Sequence, residues 1–140
     1  MAVCTSTKGG GMNIREQLPE PLNTFVIDVP AHQYYDFELP EGSTYPLKGV
    51  KYPVDYGHIV GYTTEDDHEL DLFVGSTSDG LIGYVSVFRG EDRPNEYKFL
   101  VGVTDNEWET IQEQLKPVLI SHDIFSNLGD LLNAIKKYRD

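Results

Sequence analysis

The sequence predicts an α+β domain in which helices pack on a small antiparallel sheet or barrel. Three observations carry that reading. Short β-prone segments punctuated by Gly, Pro and Asp fill the chain up to Val103. The spacing of apolar residues then changes from the alternation of a strand to the three- and four-residue intervals of a helix. Finally, the last apolar stripe ends in a basic turn, as a helix C-terminus prefers.

Taken in order, the chain opens on MAVCTSTKGGG, small, polar and glycine-rich, with a second methionine at Met12. Residues 1–17 are therefore expected to be a flexible arm or an expression remnant, and residues 18–140 a single domain with no internal repeat and no dividing linker. TFVIDVP at 24–30 reads as a strand bounded by Pro30, and Asp28 interrupts its apolar series. A carboxylate placed there needs a partner. Further strands are expected at 34–39, 56–62, 70–74, 81–88 and 97–103. Thr104 or Asp105 can cap a helix in which Trp108, Ile111 and Leu115 share a face until Pro117 ends it. A second helix begins near Ser126 or Asn127, with Leu128, Leu131, Leu132, Ile135 and Tyr138 along one side and Lys136, Lys137 and Arg139 in its last turn.

With 11 basic and 23 acidic side chains among 140 residues, the formal net charge is -12. Such a surface repels nucleic-acid phosphates and anionic membranes and favours cations or basic partners, so neither nucleic acid nor membrane is an expected partner. Cys4 is the sole cysteine, which rules out an internal disulfide and fits a reducing compartment. No apolar run is long enough to span a bilayer and no signal peptide is recognisable, so a cytoplasmic location is expected.

EDDHELD, at 65–71, crowds five carboxylates and one imidazole into seven residues just before the apolar run Leu72, Phe73, Val74. Like charges that close repel unless a cation or basic side chain lies among them, so the stretch is either a wet turn or an ion cage. Taken alone, such a cluster is more often a solvated turn. It lacks the central glycine and spaced acids of an EF-hand loop, whereas its oxygens suit a hard cation such as Mg²⁺ that shares its shell with substrate phosphates.

Read beside VIDVPA at 26–31 and YPVDYG at 52–57, the acidic stretch resembles a motif of the soluble, Mg²⁺-dependent inorganic pyrophosphatases. That family carries IEIPA, then YPxNYG, then DGDPxDVLV, and the three counterparts stand here in the same order. The acidic-then-lysine segment 91–98 and the terminal Tyr138, Arg139, Asp140, similar to the family's Tyr-Lys-Asp, extend the resemblance over nearly the whole chain from about Leu18. It implies a five-stranded OB-like barrel with two flanking C-terminal helices. It also implies a divalent metal, Mg²⁺ or Mn²⁺, diphosphate or a related phosphoanhydride as substrate, and assembly into homo-oligomers.

Residue by residue, Asp66 and Asp71 fall on the first and last aspartates of DGDPxD, metal ligands in the family, and Tyr56 falls on the active-site tyrosine of YPxNYG. Asp28 replaces a glutamate, Arg139 a phosphate-binding lysine, and Tyr138 stands for the tyrosine beside it. Glu96 and Lys98 match an aspartate and a lysine that contact metal and phosphate, and Glu91 or Asp92 matches a further metal-binding aspartate. The departures are as informative. His68 stands where the family has the middle aspartate that accepts the proton of the attacking water, and Glu69 replaces the proline. Tyr34 lies where a phosphate-binding lysine is expected. Segment 45–51 has no arginine, leaving Lys48, a point charge without a bidentate fork. The connection between Val74 and Phe88 is also shorter than in the family.

The resemblance thus implies hydrolysis of diphosphate in weakened form. Asp66, Asp71, Asp28, Glu96 and Glu91 or Asp92 would bind metal, Lys98, Tyr56, Tyr138, Arg139 and Lys48 would hold phosphate, and His68 would act as ligand or base. Imidazole suits Mn²⁺, Co²⁺ or Zn²⁺ better than Mg²⁺. The alternative is a pyrophosphatase-derived binding or interaction module without turnover. Bland roles compete residue by residue: Tyr138 continues an apolar stripe, Lys98 could snorkel from a strand, and His58 and His122 show no ligand spacing.

Overall fold

The computed structural model describes residues 18–35, 49–64, 68–91 and 94–138. Along them run β1 (Phe25–Val29), β2 (Tyr34–Tyr35), β3 (Val50–Lys51), β4 (Asp55–Thr63), β5 (Glu69–Val74), β6 (Leu81–Val87), β7 (Glu96–Val103), α1 (Asp105–Leu115), β8 (Leu119–Ile124) and α2 (Leu128–Ile135). Six strands form one sheet in the order β1-β4-β5-β7-β6-β8, and β2 pairs with β3 apart from it. Neighbours are antiparallel except β5 and β7, which run parallel with Leu72 opposite Phe99 and Val74 opposite Val101.

The α+β class and the two C-terminal helices are therefore present, but the sheet is not closed into a barrel. This corrects the five-stranded OB-like barrel. The cause is β8, which lies between the helices, pairs with β6 and occupies the edge that β1 would need in order to close the sheet. LISHDI is exposed along almost all its length, so no alternation marks it as a half-buried strand. β3 likewise lies in a stretch not read as a strand, whereas segment 34–39 is a strand only at β2, its remainder falling outside the described residues.

Both helices begin where the sequence places them. Thr104 Oγ1 accepts from the Glu107 N–H at 3.1 Å while Glu107 Oε1 accepts from the Thr104 N–H at 2.9 Å, a reciprocal cap that satisfies two orphan donors. Asn127 Oδ1 caps α2 by accepting from the Asp130 N–H at 2.9 Å. The helices cover opposite faces of the sheet. Ile111 and Leu115 of α1 join Tyr56, Phe73, Val85, Val87 and Leu100, whereas Leu131 and Ile135 of α2 join Ile59, Leu70, Leu72, Val74, Phe99 and Val101. Because successive strand residues point to opposite faces, a sheet covered on both sides reads as a near-continuous apolar run, as Leu72, Phe73 and Val74 do. No helix among the described residues is long and apolar enough to cross a membrane.

Candidate functional site

On the α1 face the apolar cluster gives way to charge along one line across β4, β5 and β7. His58 and Asp71 are cross-strand partners, and so are Tyr56 and Phe73, which aligns Tyr56, His58, Asp71 and Glu69 on one face. Continuing the β5–β7 register one residue before Leu72 and Phe99 sets Asp71 beside Lys98. Three segments far apart in sequence meet there.

Tyr56 Oη donates to Asp71 Oδ2 at 2.6 Å. Lys98 Nζ donates to the same carboxylate oxygen at 2.8 Å, to Tyr56 Oη at 2.7 Å and to Glu96 Oε2 at 2.9 Å. All three ammonium hydrogens thus have acceptors, as a lysine only 4% exposed requires. Arg89 Nη1 reaches the other Glu96 oxygen, Oε1, at 3.5 Å. Tyr52, Tyr56 and Phe73 stack against one another at centroid distances of 4.8 to 5.1 Å and shield the group from below.

Burial pushes the Tyr56 phenol well above its ordinary range, the Asp71 carboxylate adds to the rise, and the Lys98 charge only partly opposes it. Burial acts the other way on Lys98, favouring loss of its proton, yet Asp71, Tyr56 and Glu96 together outweigh that cost and hold the ammonium well above its usual value. Tyr56 and Lys98 therefore hold their protons tightly within the cluster. Both bonds to Asp71 fall on Oδ2, and Oδ1 takes part in neither. Glu96, with one oxygen on Lys98 and the other on Arg89, would have to surrender an ion pair to bind a metal ion.

Beside this buried group lies an open one. His58 Nδ1 stands 2.8 Å from Asp28 Oδ2 and 3.1 Å from Glu69 Oε2. The imidazole is 16% exposed and the two carboxylates 41% and 63%. Asp28 pairs here with His58 but is exposed on the edge strand β1, so the apolar series around it does not bury it as the sequence suggests. The adjoining turn is braced by Asp55 of YPVDYG, whose Oδ1 accepts from the Ala31 N–H at 2.9 Å.

The structure thus brings together Tyr56, Asp71, Glu96 and Lys98 and sets Asp28 with His58 and Glu69. His68 is exposed just before β5, its carbonyl accepting from Thr64 N–H at 2.7 Å and Thr64 Oγ1 at 3.2 Å. Tyr138 packs on the α2 side, its ring 6.0 Å from that of Phe99, which alternation points away from Lys98. That is the packing role expected of its stripe. Glu91 is exposed in the turn after β6. Lys48, Asp66, Asp92 and Arg139 lie outside the described residues.

Sequence reasoning left Arg89 unread, set His58 aside for want of ligand spacing, and read Glu69 only as part of the acidic stretch. For His58 a signal existed: it lies two residues after Tyr56 in a predicted strand and must share its face. Compared with models of known families, with curated proteins and with solved structures, the chain has no significant match.

Proposed function

We propose that this protein hydrolyses a phosphoanhydride, diphosphate or a relative of it, in a divalent-metal-dependent reaction of reduced rate. One observation supports this above the others: Tyr56, Asp71, Glu96 and Lys98, named from three separated motifs of the pyrophosphatase resemblance, form one hydrogen-bonded cluster. Strand order gives secondary support. Five strands of the open sheet follow the order first, second, third, fifth, fourth, with a parallel pair between third and fifth, an order compatible with the family's topology although no barrel closes.

Asp71 Oδ1 would hold the metal, together with Asp66. Mg²⁺ or Mn²⁺ bound there would lower the pKa of a water and neutralise charge on the leaving phosphate. Lys98 and Tyr56 would set the field for a bound phosphate, and His68, which takes the sequence position of the family's carboxylate base, would have to swing toward Asp71 to receive the proton of the attacking water. Losing a well-placed base costs on the order of 10²–10⁴-fold, hence the reduced rate.

A second reading, a binding module without turnover, is favoured by the complete use of the Lys98 donors inside the protein, since a phosphate oxygen must displace a carboxylate or phenol to reach them. Phosphate release from diphosphate, measured with Mg²⁺ and with Mn²⁺ for the native chain and His68→Asp, separates the two. Activity that rises in the variant supports the hydrolase. No release from either protein with either metal overturns it in favour of the module.

A further inference from the structure

We infer that Asp28, His58 and Glu69 form a binding site for a divalent transition-metal ion, distinct from the oxygen-rich Mg²⁺ site that the acidic stretch suggests. One nitrogen and two carboxylate oxygens converge here, all within 4.8 Å of one another. Metal–ligand bonds of about 2.0–2.2 Å set donor atoms roughly 3–4 Å apart, a difference that the two exposed carboxylates can close by rotation. An imidazole with two carboxylates is a borderline donor set suited to Zn²⁺, Co²⁺ or Mn²⁺ and not a case for Mg²⁺, which prefers oxygen and water alone. Three protein donors at an exposed rim also keep coordination positions open for water or an anionic ligand.

The backbone on both sides of His58 departs from regular pairing to produce this convergence. Between β1 and β4 the register slips between Ile27 and Val29, so Asp28 is the extra residue of a bulge. Between β4 and β5 it slips between Ile59 and Thr63, which brings Glu69 opposite Thr63. Gly61, at φ +86°, lies inside that second irregularity in the left-handed region that favours glycine. Bulges re-aim side chains, and the first one carries Asp28, while Glu69 shares the face of His58 by alternation with Asp71. Gly57 completes the arrangement, because a Cβ there would lie 1.9 Å from the Val26 carbonyl oxygen, so only glycine lets β1 approach β4 this closely.

Charge points the same way. Two carboxylates converge on one ring nitrogen, and a dication offsets their negative charge. A single Nδ1–H cannot serve both oxygens fully, whereas a metal ion can. The site uses none of Tyr56, Asp71, Glu96 or Lys98, and Asp28 is the one residue it shares with the ligand set that the resemblance implies.

The test is titration with Co²⁺ alone, followed by its visible absorption and by calorimetry, then displacement by Zn²⁺. The full chain is expected to show the d–d bands of a nitrogen- and oxygen-ligated ion and to lose those nitrogen-ligated bands, with one equivalent of binding, in His58→Gln and in Glu69→Gln. The second variant alters a side chain 63% exposed and leaves the core alone. His122→Gln, at an exposed histidine on β8 packed against Trp108, keeps the bands unchanged. Absence of binding to the native chain, or equal binding by native, His58→Gln and Glu69→Gln, overturns the assignment. Mg²⁺ at the same concentrations is expected to leave the Co²⁺ bands in place.

Discussion

Lys98 and His58 lie on the same face of one sheet, each between two carboxylates, yet their surroundings differ in kind. Lys98 is 4% exposed and its three hydrogens are shared among Asp71, Glu96 and Tyr56. The carboxylates at His58 are 41% and 63% exposed and meet at a single nitrogen. Desolvation separates the two groups. A charge removed from water must have every hydrogen bond completed within the protein, so the Lys98 cluster is closed. At the rim water completes the bonds, so the His58 group is free to exchange water for an ion. The closed group should therefore govern stability and the open one should govern ligand binding.

The hardest blow to that contrast is Lys98→Met. Removing one partner of a buried ion pair strands Asp71 and Glu96 against each other, and the expected loss is about 3–5 kcal/mol in urea unfolding. A loss below about 1 kcal/mol would show the cluster to be wet. The native chain should also lose stability at alkaline pH. Lys98 is raised in the fold, so its contribution is complete below the unfolded pKa of about 10.4 and disappears as pH climbs through the folded value. Tyr56 acts with the same sign: the unfolded phenol releases its proton near pH 10 while the native one holds it. Unfolding free energy should stay level to about pH 9 and decline from about pH 10 upward, and the decline should be shallower in Lys98→Met.

Smaller is Tyr56→Phe, which removes one donor to Asp71 and one acceptor from Lys98 without changing the ring. About 1–3 kcal/mol is expected, read as a lower urea midpoint at unchanged slope. Smallest is Asp28→Asn, whose exposed pairing with His58 is worth about 0–1 kcal/mol. A thermal midpoint displaced as far as that of Tyr56→Phe would erase the distinction between open and closed groups.

What the sequence disclosed follows from how local each feature is. Both helices were legible because their caps and apolar stripes are written within a few residues, Thr104 with Glu107 and Asn127 with Asp130. Asp28 read as a carboxylate in need of a partner because its neighbours are apolar, but it lies exposed on an edge strand, and His58 reaches it only through a bulge that no local pattern marks. Lys98 read equally well as a snorkelling side chain, since its burial depends on Asp71 and that meeting on a parallel register between strands not consecutive in the chain. β8 was illegible for a simpler reason: an exposed edge strand needs no alternation. The acidic stretch divided accordingly, Asp71 into the closed group and Glu69 into the open one.

The parallel pairing of β5 with β7 has a kinetic consequence. On one side β1, β4 and β5 assemble antiparallel, and on the other β7, β6 and β8 do the same. The strands of the two halves meet at Leu72 with Phe99, Phe73 with Leu100 and Val74 with Val101, and Lys98 bonds across to Asp71 and Tyr56. Contacts remote along the chain form slowly, so each half should assemble before they dock, and the ammonium should shed its water only at docking. Lys98→Met should then quicken unfolding far more than it retards folding, leaving the refolding limb of a chevron nearly in place.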